Sequence, residues 1–176
     1  MLETERLRLR NWQPSDREPF AQINADPRVM EFLPKRLTRE ESDAMVERIE
    51  SHFREKGFGL YAVELREGGR FIGYVGLHTP TFTAHFTPCV EIGWRLANDS
   101  WGRGLATEGA LAVVRYAFEN IGLDEIVSFT VPVNLRSIRV MEKIGMTRDA
   151  DGDFEHPNLP EAHPLRRHVL FHLRKL

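Results

Sequence analysis

Val90-Glu91-Ile92-Gly93-Trp94-Arg95-Leu96-Ala97-Asn98-Asp99-Ser100-Trp101-Gly102-Arg103-Gly104-Leu105-Ala106-Thr107-Glu108 reads as a strand, a tight glycine turn and the start of a helix. Val90, Ile92, Trp94 and Leu96 alternate with Glu91, Gly93 and Arg95, which is the period of a strand. Gly102 and Gly104 flank Arg103, so the backbone there can bend sharply and approach a ligand closely. Leu105 opens an apolar helical pattern that runs to about Phe118. A helix whose first turn lies open at a glycine bend offers free N–H groups and a partial positive charge. That is an anion site made of backbone, and the pyrophosphate of a coenzyme is the anion expected there.

Working outward, 176 residues suit one domain, spanning 1–176, large enough to bury a core. A hydrophobic fraction of 41% and a charged fraction of 28% are those of an ordinary globular protein. A net charge of −2 gives no global pull toward nucleic acid or a membrane surface. The lone Cys89 cannot close an internal disulfide, which fits a reducing, cytoplasmic setting. Met1 to Arg6 has no apolar signal core, and no run approaches a membrane span.

Upstream, Leu7 and Leu9 alternate with Arg6, Arg8 and Arg10, so Thr4 to Trp12 reads as a first strand, its arginines on a solvated face. Pro14-Ser15-Asp16 starts a helix that carries Phe20 and Ile23 and ends at Asp26-Pro27. Val29, Met30, Phe32 and Leu33 form a short apolar segment that either covers a cleft or plugs the core. Thr38-Arg39-Glu40-Glu41 is a capping box, opening a helix with Met45, Val46, Ile49 and Phe53 on its core stripe and Gly57 at its end. Strands at 60–65 and 71–77 are joined by Arg66-Glu67-Gly68-Gly69-Arg70, a hairpin signal. A polar loop, Thr79 to Pro88, leads to the central strand.

Downstream, Asn120-Ile121-Gly122 ends the central helix, and Ile126 to Thr130 is the next strand. Asn134 caps a helix with Leu135, Ile138, Met141 and Ile144 at helical spacing, closed by Gly145. Arg148 to Arg167, acidic and rich in histidine and proline, reads as a loop before a last strand at 168–173.

This order of elements resembles the GNAT acetyltransferase superfamily. Glu91-Ile92-Gly93-Trp94 with Trp101-Gly102-Arg103-Gly104-Leu105-Ala106-Thr107-Glu108 is similar to that family's coenzyme A pyrophosphate strand–loop–helix. Asn134-Leu135-Arg136-Ser137 through Glu142-Lys143-Ile144-Gly145-Met146 is similar to its later Asn-x-x-Ser … Glu-Lys-x-Gly-Phe segment. The wording of both is nearest to the branch that acetylates ribosomal-protein N-termini. The resemblance implies an α+β fold, with a mixed, mostly antiparallel sheet of about seven strands flanked by helices and splayed between the fourth and fifth. It also implies acetyl-coenzyme A as cosubstrate, an amine-bearing acceptor (peptide N-terminus or small molecule) and a homodimer, though no sequence feature here carries the last. Coenzyme contacts fall to Ile92, Gly93, Trp94, Trp101, Gly102, Arg103, Gly104, Leu105, Ala106, Thr107, Asn134, Arg136 and Ser137. Trp101 stands where the family usually has Gln or Arg. Met141 stands where many members have the Tyr that protonates the leaving thiolate, so that role is not carried over.

The amine must be neutral to attack a thioester. Deprotonation at pH 7 costs an α-amino group about 1 kcal/mol and a lysine amine about 4.6 kcal/mol. Glu91 is the candidate base, directly or through water; its alternative is a strand glutamate paired with arginine or facing solvent. Ser137 is the candidate partner of the thiolate, or an ordinary first-turn residue. Backbone N–H groups of the central strand would meet the developing oxyanion. His156 or His163, on the loop expected to line the acceptor site, is a second source of proton transfer. His156, His163, His168 and His172 match no zinc spacing and lack cysteine partners, so no metal is expected. Thr107 occupies the third glycine position of a dinucleotide fingerprint, and no Gly-Lys-Ser/Thr exists. A non-catalytic acyl-coenzyme A-binding module is the alternative function; it needs the glycine loop but neither Glu91 nor Ser137.

Overall fold

The computed structural model describes residues 1–175. Its elements run β1 Leu2–Glu3, β2 Leu7–Arg10, α1 Arg17–Ala25, α2 Arg39–Lys56, β3 Leu60–Leu65, β4 Phe71–His78, β5 Glu91–Leu96, α3 Leu105–Tyr116, β6 Glu125–Thr130, α4 Leu135–Lys143, β7 Thr147–Glu155 and β8 Arg167–Arg174. One eight-stranded sheet takes the order β1-β2-β3-β4-β5-β6-β8-β7. All neighbours are antiparallel except β5 and β6, which are parallel and share a single register pair, Glu91 with Val127.

The middle of the sheet is apolar on both faces because helices cover both. Leu7, Leu9, Val63, Val75, Leu77 and Ile92 are fully buried in the core under α3, with Leu105, Ala110 and Val113. On the opposite face Leu60, Ala62 and Tyr74 pack with Trp12, Phe20, Val46 and Ile49 from α1, α2 and the chain before them. The capping box forms as read: Thr38 accepts from the Glu41 N–H, and Glu41 accepts from the Thr38 N–H.

Three readings change. The strand read from Thr4 to Trp12 shortens to β2, preceded by β1, because the Thr4 hydroxyl accepts from the Leu7 N–H and turns the chain between them. Its arginines are not uniformly solvated: Arg10, 9% exposed, forks onto Asp16 at 2.7 and 2.8 Å and reaches Glu64 at 2.8 Å. The supposed loop from Arg148 begins as β7, one of eight strands in the mostly antiparallel sheet that was expected to have about seven. Nothing in Thr147-Arg148-Asp149-Ala150-Asp151-Gly152-Asp153 favours a strand locally. Pairing with β8 imposes it, with an irregular register, and Arg148 and Arg167 neutralise Asp153.

Candidate active site

The glycine bend forms as expected. Gly102 and Gly104 take φ of 72° and 75°, which favours glycine, and Gly104 precedes the first turn of α3. The first α3 hydrogen bond is Glu108 N–H to the Gly104 carbonyl. The backbone N–H groups of residues 102 to 107 donate to no acceptor among the described residues. Such a row of open donors at a helix start suits the diphosphate of a coenzyme. The bend is tied down from behind by Glu108, which accepts from the Thr4 hydroxyl (2.6 Å), the Arg6 N–H (2.8 Å) and Arg6 Nε (2.6 Å); Arg6 also donates to the Arg103 carbonyl. Burial works to raise the Glu108 carboxyl, but these bonds together hold it below the usual glutamate range.

From this cradle a cavity of about 440 Å³ runs through the sheet. The passage exists because β5 and β6 part company. The Val127 N–H donates to the Val90 carbonyl and the Ser128 hydroxyl to the Ile92 carbonyl, both at 2.9 Å; beyond them the strands separate. On the α3–α4 side the walls are Trp101, Gly102, Gly104, Leu105, Ala106, Thr107, Asn134, Arg136 and Ser137; Glu91, Gly93 and Trp94 line the gap. Ile92 does not line it: its side chain is fully buried in the core under α3. Arg103 is exposed beside the cradle and does not line it either.

Several side chains are already engaged. Asn134 caps α4 by accepting from the Ser137 N–H (3.3 Å) and donates to the hydroxyls of Thr130 and Ser137. Trp101 donates its indole N–H to the Leu96 carbonyl. Arg136 lies over the Trp101 ring at 4.5 Å and donates to Glu31, bridging α4 to the segment before Pro34. That segment does both jobs allowed by the sequence: Met30 is buried, while Val29, Phe32 and Leu33 line the cavity.

Antiparallel register sets Tyr74 opposite Arg95, Gly76 opposite Gly93 and His78 opposite Glu91, so these six share the face covered by α1 and α2. A Cβ on Gly93 would meet nothing within 4 Å. Glu91 Oε2 lies 3.2 Å from His78 Nε2. Burial pushes the Glu91 carboxyl well above the usual glutamate range. Burial, with a smaller push from His52, holds His78 down to about 4. Both shifts favour the uncharged forms, a carboxylic acid beside a neutral imidazole. Sequence reasoning singled out Glu91 but not His78, whose only signal was its place at the end of the preceding strand.

The other histidines lie elsewhere. His156 and His168 pack 5.1 Å apart among Phe129 and Phe154, and His163 accepts from the Leu165 N–H; none lines the cavity. His172 bonds Glu125. Among the described residues no group of three or more His, Cys, Asp or Glu is placed to hold a metal. Burial pushes the Cys89 thiol up to about 11, and it lies outside the cavity, so it offers no thiolate near neutral pH. No described helix is long and apolar enough to cross a membrane.

Residues 6–147 match the acetyltransferase (GNAT) domain family, and the chain belongs to it. It is an acetyl-coenzyme A-dependent N-acetyltransferase. The uncharacterized N-acetyltransferase YnaD of Bacillus subtilis is 31% identical over 149 residues, 84% of this chain and 83% of that one. An FsC-acetyl coenzyme A-N(2)-transacetylase of Aspergillus fumigatus is 33% identical over 157 residues, 83% of this chain and 64% of that protein. The crystal structure of an acetyltransferase from Agrobacterium tumefaciens superposes with a TM-score of 0.80 at 30% identity, covering 99% of this chain and 94% of that one. A ribosomal-protein-S5-alanine acetyltransferase from Vibrio fischeri has a TM-score of 0.76 at 18% identity, covering 98% and 94%, and shares the fold.

Proposed function

We propose that the cavity through the sheet holds acetyl-coenzyme A on the α3–α4 side and admits a primary amine from the α1–α2 side. The open N–H groups of residues 102 to 107 are the observation that carries this reading. They take the diphosphate, with the exposed Arg103 beside them as a counter-charge and Arg136 above Trp101 as a roof. Asn134 and Ser137 hold the arm of the coenzyme, and the backbone of Gly93 and Trp94 borders the reacting carbon. Bound there, acetyl-coenzyme A supplies the acetyl group as an activated thioester.

Glu91 accepts the proton of the attacking amine, directly or through water, with His78 Nε2 3.2 Å from its carboxyl. A carboxyl raised by burial is a better base for an amine than an ordinary glutamate, because its proton affinity is closer to the task. Ser137 is the hydroxyl on the thiolate side; a thiol near pKa 8.5 leaves without a strong acid, so Met141 is no obstacle. An α-amino acceptor, on a protein N-terminus as in the ribosomal-protein branch or on a small molecule, asks least of this base. The whole chain is proposed to act as one domain in the cytoplasm.

The test is thiol release from acetyl-coenzyme A across a panel of amines and peptides, with mass detection of the acetylated product. Coenzyme-dependent acetylation of at least one acceptor is expected. Tight coenzyme binding with no acceptor ever acetylated would replace this reading with that of an acyl-coenzyme A-binding module.

A further inference from the structure

We propose that Arg95 anchors a carboxylate on the acceptor, so that the amines acetylated are carboxylate-bearing ones, amino acids or short peptides with a free C-terminus. This rests on the reading of the cavity as an acetyl-transfer site. Arg95 lies on the same face of β5 as Glu91 and Gly93 and lines the cavity on its α1–α2 side, away from the N–H cradle. Its guanidinium is held in place: Nη1 donates to Asn24 Oδ1 at 2.6 Å, and the group sits 5.5 Å over the Tyr74 ring. Asn24 is itself fully buried and fixed by its bond to Ser42.

What the guanidinium lacks is a counter-charge. Every other arginine that is at least partly buried, namely Arg8, Arg10, Arg17 and Arg166, has a carboxylate within 4.0 Å. Arg95 has none among the described residues, and its buried Nε has no hydrogen-bond partner. Asn24 and Met45 Sδ take Nη1, Nε is buried, and Nη2, which makes no hydrogen bond among the described residues, is the donor left for a carboxylate. Leaving a charged, half-buried donor unpaired is unfavourable, and an incoming carboxylate relieves it. Glu91 does not serve, since burial favours its neutral form. Residues two apart on a strand are separated by roughly 6.7 Å. A small amine that reaches the gap at Gly93 can therefore place a nearby carboxylate on Arg95.

The experiment compares amino acids and dipeptides with their C-terminal amides, each at a pH where both amines are neutral, for the wild type, Arg95→Met and Arg95→Lys. The free acids are expected to exceed the amides in kcat/KM by about tenfold or more, mainly through KM, the effect of a charge-assisted hydrogen bond. Arg95→Met should bring the acids down toward their amides with coenzyme affinity, read by calorimetry, at its wild-type value. Arg95→Lys, which keeps the charge but not the planar guanidinium held by Asn24, should fall between; it decides the matter alone if the methionine variant does not fold. Equal rates for acids and amides in the wild type overturn the proposal, as does a preference that survives both substitutions or a loss confined to coenzyme affinity. Acetylation of no amine at all would sink the broader reading instead.

Discussion

Glu91 and His78 lie side by side in the wall of the cavity, and burial favours the uncharged form of each. Burial keeps the glutamate's proton on, so its base form appears only as pH climbs above the usual glutamate range. Below both its pKa and that of the amine, log(kcat/KM) should rise with a slope of two. Glu91→Gln should lower the plateau about 10²-fold or more and reduce that slope to one, leaving only the amine's own titration. Stability carries the opposite sign. The folded state binds this proton more tightly than the unfolded chain, so Glu91 favours folding below the unfolded value near 4.5 and loses that contribution as pH rises through the folded value. Denaturant titrations should therefore show Glu91→Gln gaining on the wild type as pH increases; a constant difference would mean that the carboxyl is not shifted. Glu91 was readable from strand alternation beside the glycine turn. His78 was not, because only the β4–β5 register sets it opposite.

The strand–turn–helix from β5 to α3 is built locally, which is why it could be read from the chain. Alternation made the strand, two glycines with positive φ made the bend, and the apolar stripe with Leu105, Ala110 and Val113 made the helix. Gly104→Ala should cost about 1 kcal/mol of stability through its left-handed φ and also weaken coenzyme binding, since it disturbs the N–H row. Gly122 is the control: its φ is 79° with open space around its Cβ, but it ends the π turn after α3, far in sequence from the cradle. Gly122→Ala should lose similar stability in thermal melts and keep coenzyme affinity. If both variants bind the coenzyme as the wild type does, the cradle is not the diphosphate site. The segment after Arg148 shows where local reading ends, for β7 is acidic, holds a glycine and is a strand only because β8 pairs with it.

The two hydrophobic cores lie on opposite faces of one sheet and share β3 and β4, so neither can come apart without disturbing the other. A single cooperative unfolding transition is expected, with calorimetric and van't Hoff enthalpies in agreement. Coenzyme at a hundred times its Kd should add about 2.7 kcal/mol and raise the midpoint by roughly 5 to 10 °C. A transition split in two, with only one half responding to the coenzyme, would contradict this account. The cavity is a consequence of the same architecture: a single parallel pair in an otherwise antiparallel sheet leaves two strands diverging where α3 and α4 present their first turns.

Alternation, helical spacing, caps and glycines act over a few residues, and the chain alone accordingly settled most strands and helices, the glycine bend before α3 and the family. Tertiary packing decided what depends on distant partners: that β5 and β6 part beside Glu91, that His78 meets it, that Ile92 turns into the core while Arg95 faces the cavity, and that Arg10 is buried against Asp16. A side chain's charge state and its access to a ligand are set by what surrounds it in space, and that is a property of the folded sheet, not of neighbours along the chain.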